Sequence, residues 1–201
     1  KSHEGNIISE IISYLPNKSN LMIGNSSPIR DLDTFTFNMD KSINVLSNRG
    51  ASGIDGLIST AIGMSIDNKS FNALIIGDVS FYYDLSSLNI AKDIPISLTI
   101  FIINNQGGHI FDRLEGLKTQ KKSIYEKYWI TPPELDIKSL SKAFNCNYNH
   151  IGPSQYKKIE TIINNIDLKD KKINLIEIKV DSRKHKLNNL KIEEKIKKAL
   201  S

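Results

Sequence analysis

The stretch that most constrains this chain is residues 73–108, ALIIGDVSFYYDLSSLNIAKDIPISLTIFIINNQGG. It holds two β-branched apolar runs with a helix-like segment between them, and each run closes in a small polar cluster. Residues 73–76 and 96–103 are apolar on both faces, which is the pattern of strands buried inside a parallel sheet. Parallel neighbours require a crossover, and residues 84–91 fit the helix of a right-handed βαβ unit. Gly77-Asp78 and Asn104-Asn105 then sit at the carboxyl ends of two parallel strands, where open α/β sheets bind their ligands.

The residue types define what such a site could hold. Asp78 offers a hard anionic oxygen and Asn105 a neutral amide oxygen, while the turn at Gly107-Gly108 lets a backbone carbonyl face inward unobstructed. Few oxygen ligands of low total charge suit Mg²⁺ that keeps its other positions for phosphate oxygens and water, so a diphosphate is the natural partner. Taken singly, each dipeptide is ordinary turn chemistry. With Asp78 and Asn105 twenty-seven positions apart, the two together resemble the diphosphate-binding motif of thiamine diphosphate enzymes.

The same arrangement recurs upstream. Residues 4–14 place Ile7, Ile8, Ile11 and Ile12 at helical spacing, Pro16 breaks the run, and residues 21–23 form a short strand followed by a polar loop, GNSSPIR, at 24–30. Residues 35–40 read as a connection and 43–46 as a further strand. After that strand comes SNRGASGIDG at 47–56, and then a helical run at 57–66 whose free N–H groups could receive an anion. Four strand ends carrying polar loops predict an α/β fold, a doubly wound and mainly parallel sheet with helices on both faces. The whole chain, 1–201, reads as a single domain of ample size for its own core, or as a piece of a larger protein.

Composition excludes several classes. The net charge of +5 arises after Gln155, where thirteen Lys and Arg face seven Asp and Glu, and no aromatic residue follows Tyr156. A nucleic-acid footprint needs a basic face with stacking aromatics, so no nucleic-acid partner is expected. The lone Cys146 provides neither a disulfide framework nor a thiolate metal site, and His3, His150 and His185 do not cluster into a zinc site. No apolar run reaches the length of a membrane span, and a cytoplasmic protein is expected, or a plastid stromal one in a photosynthetic eukaryote.

The segments GNSSPIRDLD (24–33), NRGASGIDGLISTAIG (48–63), GDVSFYYDLSSL (77–88) and NNQGGHIF (104–111) resemble, in order and spacing, the C-terminal domain of the MenD family. These are the thiamine diphosphate (ThDP)-dependent synthases of 2-succinyl-5-enolpyruvyl-6-hydroxy-3-cyclohexene-1-carboxylate (SEPHCHC) in menaquinone and phylloquinone biosynthesis. The resemblance covers the chain from about Glu4, and NRGASGIDG is its most discriminating string. ThDP enzymes in general carry a third glycine after the Gly-Asp pair. Val79 stands there in this chain, a departure that fits one subfamily better than the rest.

This resemblance implies a reaction, decarboxylation of 2-oxoglutarate on ThDP and addition of the succinyl unit to isochorismate. It also implies roles. Asp78, Asn105 and the Gly107 carbonyl would ligate Mg²⁺, or Mn²⁺ in its place, next to Gly77. Asn25 and Ser26 would line the cofactor and substrate pocket, and Ile54 would support the bent cofactor. Arg30 and Arg49 would hold substrate carboxylates, since a guanidinium meets a carboxylate with two parallel bonds. Ile110 and Phe111 would make apolar contacts on the substrate side. The activating glutamate belongs to a pyrimidine-binding domain outside this chain, contributed by another subunit of a homo-oligomer, dimer or tetramer. The chain alone is therefore expected to be inactive.

The remaining motifs are less specific. His109 lies in the presumed site with no partner that the sequence can name. Residues 112–122 read as a mobile cover, Trp129 as a packing residue, 137–146 and 153–166 as helices, 173–180 as a late strand and 187–200 as a Lys-rich amphipathic helix. Two other classes stay open. A nucleotide-binding module would share the sheet, but GNSSPIR lacks its G-x-G-x-x-G turn. A ThDP fold kept only for assembly, or another ThDP carboligase or decarboxylase, would share most of the motifs.

Overall fold

A computed structural model of the chain describes residues 3–36, 40–117 and 119–200. Among the described residues six strands, β1 (Ser19–Ile23), β2 (Ile43–Leu46), β3 (Asn72–Gly77), β4 (Leu98–Asn104), β5 (Asn147–Ile151) and β6 (Ile173–Lys179), form one sheet in the order β2-β1-β3-β4-β6-β5. Every neighbouring pair is parallel. The helices are α1 (Glu4–Tyr14), α2 (Ser27–Phe35), α3 (Leu57–Ser65), α4 (Asp78–Tyr83), α5 (Lys122–Tyr125), α6 (Ile137–Ala143), α7 (Lys158–Asn164) and α8 (Ser182–Leu200). The doubly wound α/β fold expected from the strand pattern is the one observed.

Side chains that alternate along the strands divide the core into two layers. Leu21, Ile23, Ile75, Phe101, Ile103, Ile176 and Ile178 pack with α1 and α7 on one face. Met22, Leu74, Ile76, Ile100, Ile102 and Leu175 pack with α3 and the 3₁₀ segment Leu85–Asp93 on the other. On α1, Ile7, Ile8, Ile11 and Ile12 are fully buried. Each contributes roughly 1.5–3 kcal/mol of gross burial, which anchors the start of the chain firmly on the sheet.

Polar ladders set the register at the amino ends of the strands, where a one-residue slip would turn every side chain to the wrong face. Asn20 on β1 donates to Asn72 on β3 at 3.0 Å and accepts from Asn44 on β2 at 3.1 Å. The edge strand β5 is held the same way, with Asn147 donating to Asn174 at 3.0 Å and Tyr148 to Glu177 at 2.5 Å on β6. No apolar run marks β5, which is why the sequence reading passes over it and extends the helix of 137–146 across its approach.

Other boundaries also differ. Residues 24–30 are not wholly loop, because α2 begins at Ser27 with Pro28 in its first turn, a position where a missing N–H costs nothing. The crossover expected over 84–91 begins at Asp78 as α4 and continues as a 3₁₀ segment. The break between them falls at Asp84, whose carboxylate turns away toward α3. The late helix begins at Ser182 rather than Leu187. In the connection 35–40, residues 37–39 lie outside the described residues, as does Lys118 within 112–122.

The strand order creates a switch point. From β1 the chain winds outward to β2, whereas from β3 it winds the opposite way to β4. The carboxyl ends of β1 and β3 therefore border a crevice not covered by a crossover, the preferred ligand position in this architecture.

Candidate functional site

Three strand ends meet at that crevice. After β1, Ser26 takes φ +73° and ψ −132°, a conformation seldom seen outside glycine, as the chain turns into α2. After β3, Asp78 is the first residue of α4 and is almost fully buried. Its Oδ1 accepts from the Val79 N–H at 2.9 Å, and its Oδ2 accepts from the Gly107 N–H at 3.0 Å. After β4, Gln106 and Gly107 both have positive φ, +66° and +135°. A Cβ at Gly107 would lie 2.4 Å from the Ile130 carbonyl oxygen, so only glycine allows this loop to press against the π-helical turn Glu126–Ile130. The Gly108 N–H donates to the same Ile130 oxygen at 2.7 Å, and the Gly107 carbonyl accepts from the His109 N–H at 2.9 Å.

The electrostatics favour a cation here. Burial pushes the Asp78 carboxyl up to about 6, against the pull of backbone N–H groups from Val79, Gly107 and Gln106, and the nearby Glu4 carboxyl raises it further. The Asn105 side chain is buried, and its Oδ1 has no hydrogen-bond partner. A buried acceptor left unmatched is costly, and it stands beside a carboxylate that burial disfavours as an anion. A divalent cation would satisfy both. Among the described residues no group of three or more His, Cys, Asp and Glu could hold a metal. The groups here that could hold a metal are a carboxylate, an amide oxygen and a second lone pair on a peptide carbonyl, all hard oxygens of the kind Mg²⁺ takes.

A cavity of about 290 Å³ opens over this group. Of the residues singled out from sequence, Ser26, Ile54, Gly77, Asp78, Asn105, Gly107, Ile110 and Phe111 all line it. Asn25, Arg30 and Arg49 do not. Asn25 is buried, and its Nδ2 donates to the Asn48 and Gly53 carbonyls at 3.1 and 2.6 Å, so it clamps the glycine-rich loop 47–56 in place. The exposed Arg49 guanidinium donates to Asn25 Oδ1 at 3.2 Å, and that of Arg30, also exposed, to the Ser26 carbonyl at 2.6 Å. Both arginines are thus tied to the residues that turn β1 into the site.

The amino end of α3, expected to offer free N–H groups to an anionic ligand, is already occupied. Asp84 Oδ2 accepts from the Ile58 and Ser59 N–H groups at 2.6 and 3.0 Å, and its Oδ1 accepts from the Ser87 hydroxyl at 2.6 Å. A side chain from the β3–β4 crossover therefore caps a helix whose own N-cap, Gly56, has no side chain to do so.

Several site residues escape sequence reasoning. Glu4 lines the cavity although it lies 101 positions from Asn105, and no local pattern marks it. Trp129 also lines it, edge-on to Phe111 with ring centroids 5.2 Å apart, so it walls the cavity as well as packing. His109 has a partner after all. Its Nδ1 lies 3.1 Å from Asp112 Oδ2, and Tyr125 donates to Asp112 Oδ1 at 2.6 Å. Burial alone would raise the Asp112 carboxyl, but these hydrogen bonds and the charges of His109 and Lys186 hold it down at about 2. The i, i+3 spacing of His109 and Asp112 on a 3₁₀ turn is the signal that could have found this pair.

The family described as thiamine pyrophosphate enzyme, C-terminal TPP binding domain, matches residues 31–178. The SEPHCHC synthase of Listeria innocua is 39% identical over 199 residues, covering 98% of this chain and 33% of that protein. The synthase of the same name from Geobacillus kaustophilus is 46% identical over 67% of this chain and 23% of its own length. The chain thus spans about a third of the length of the first relatives it matches. Among solved structures, benzoylformate decarboxylase from Polynucleobacter necessarius superposes with a TM-score of 0.69 at 14% identity, over 89% of this chain and 33% of that one, which is a likeness of fold.

Proposed function

The chain belongs to the thiamine pyrophosphate enzymes, as their C-terminal TPP-binding domain, and from that premise we propose that it is the cofactor-holding part of a SEPHCHC synthase. The complete enzyme would decarboxylate 2-oxoglutarate and add the succinyl unit to isochorismate. The reaction is suggested by relatives of that name that align along nearly the whole chain. The observation that carries the site is the buried, unpartnered Asn105 Oδ1 beside the buried Asp78 carboxyl.

Bound in the cavity, ThDP would supply the electron sink that decarboxylation and carbon–carbon bond formation need. The chain's own residues would hold and shield it. Asp78, Asn105 and the Gly107 carbonyl would bind Mg²⁺, or Mn²⁺, and through it a diphosphate. Ile54 offers apolar support from the loop that Asn25 clamps, and Ile110, Phe111 and Trp129 would exclude water and so strengthen every charge interaction inside. Arg30 and Arg49, exposed and tied to Ser26 and Asn25, would receive the carboxylates of the two anionic substrates.

The catalytic glutamate would come from the pyrimidine-binding domain, across the interface of a homo-oligomer. A cytoplasmic setting accords with these substrates. No helix among the described residues is long and apolar enough to cross a membrane.

The test is isochorismate consumption by the complete protein with 2-oxoglutarate, ThDP and Mg²⁺, set against the 201-residue chain alone. Turnover only in the complete protein is the expected result. A folded, ThDP-bound complete protein that leaves isochorismate untouched would overturn the substrate assignment and point to another carboligase. Asp78→Ala should abolish Mg²⁺-dependent ThDP binding, and unchanged binding would remove the metal assignment.

A further inference from the structure

We propose that Glu4 is a positioning residue for the metal site, setting which end of the Asn105 amide faces the cation. The inference rests on the metal reading given above. Asn105 Nδ2 donates to Glu4 Oε1 at 2.9 Å, whereas Asn105 Oδ1 has no hydrogen-bond partner. The two ends of a carboxamide are nearly identical in shape but opposite in function, since the nitrogen only donates and the oxygen only accepts. An ionised carboxylate has nothing to donate, so contact with Glu4 admits only the nitrogen end. The oxygen, at the opposite end of the amide, is thereby left as an unpartnered acceptor, which is what a metal requires of it.

The device is rigid and remote in sequence. Glu4 is 2% exposed and occupies the first turn of α1, a helix pinned by four buried isoleucines. Its own backbone N–H donates to His185 Nδ1 at 3.3 Å, and its Oε1 lies 3.9 Å from His185 Nε2, so α8 closes over it from the other side. A glutamate serving only the helix dipole would do so from the surface. This one is buried against the amide and lines the same cavity as Asp78. It also adds negative field beside Asp78, which a cation among the three side chains would relieve.

Calorimetric titration of Mg²⁺ into the complete protein at saturating ThDP tests this without reading turnover. Glu4→Gln lets either amide end face Asn105 and should weaken Mg²⁺ by about ten- to a hundred-fold, the usual effect of losing a group that orients a metal ligand. Asn105→Asp sets two carboxylates against each other and should weaken it as well. The pair Glu4→Gln with Asn105→Asp restores a donor facing an acceptor and leaves one carboxylate oxygen for the metal, so affinity should return to within about threefold of the parent protein.

Recovery in the pair is the signature that a merely structural Glu4 would not produce. Affinity in Glu4→Gln within threefold of the parent, while Asp78→Ala abolishes binding, would overturn the proposal and leave the metal reading intact. Losses in both single variants without recovery in the pair would also overturn it. Unchanged affinity in Asp78→Ala would overturn the metal reading itself. If Glu4→Gln alone is not obtained folded, the pair measured against Asn105→Asp decides in the same way.

Discussion

Replacing Asp84 by alanine removes the cap that the β3–β4 crossover places on α3. Two backbone donors, the Ile58 and Ser59 N–H groups, lose acceptors at 2.6 and 3.0 Å, and the Ser87 hydroxyl loses one at 2.6 Å. Loss of a helix cap costs about 1 kcal/mol. The donors here are largely dry, since Leu57 and Ile58 are fully buried, and an unmatched buried donor adds roughly 1–3 kcal/mol. Water entering the vacated space recovers part of that, which leaves about 2–3 kcal/mol. The effect should be local to α3 and to the loop that precedes it, where Ile54 faces the cavity.

Hydrogen exchange on the complete protein reads this directly, because protection reports the free energy of local opening. A peptide covering α3 should exchange about thirty- to a hundred-and-sixty-fold faster in Asp84→Ala, while β4 and β6 keep their protection. Asp84→Asn, which retains one acceptor oxygen without the charge, should fall between the two. Acceleration of α3 by less than about threefold in Asp84→Ala would refute the reasoning.

Other outcomes follow from the same contacts. Gly107→Ala places a Cβ 2.4 Å from the Ile130 carbonyl oxygen at φ +135°, so it should displace the Gly107 carbonyl and weaken Mg²⁺-dependent ThDP binding by at least about tenfold, as titration would show. Arg49→Ala should raise the KM for a carboxylate substrate by about tenfold or more while ThDP affinity stays within about threefold, and equal loss of both in a folded protein would count against its carboxylate role. The Asp112 carboxyl is depressed from an ordinary 3.8 to about 2, so its contribution to stability is present in full above about pH 5 and is lost as pH falls from there through about 2. Thermal unfolding followed from pH 6 to pH 2.5 should therefore decline more steeply in the parent protein than in Asp112→Asn. Parallel profiles would remove the His109–Asp112–Tyr125 contacts as a source of stability.

What could be read in advance followed from local rules. Apolar runs on both faces mark buried parallel strands, so β3, β4 and β6 are legible, and the isoleucine spacing of α1 gives its bounds without error. The strand β5 is not legible, because its register depends on Asn147 and Tyr148 meeting Asn174 and Glu177 across the sheet rather than on its own hydropathy. For the site, Gly77-Asp78 and Asn105-Gln106-Gly107 announce themselves because tight turns and close backbone approach restrict the residue types allowed. Asp84 at the α3 terminus could not be anticipated in the same way, since a cap supplied from another element leaves no pattern at the helix it serves.

The sequence by itself determined that the chain is a wound parallel sheet with polar loops at the strand ends, since period and turn chemistry depend on neighbours a few positions apart. It also named eleven candidate site residues, of which the structure brings eight to one cavity. Only the tertiary structure decided that Asn25 clamps a loop, that Asp84 fills the terminus expected to be open, that Asp112 pairs with His109, and that Glu4 faces Asn105. The physical reason is common to most of these. A hydrogen bond between residues far apart in the chain costs the same two groups wherever they come from, and it therefore leaves no spacing in the sequence to betray it.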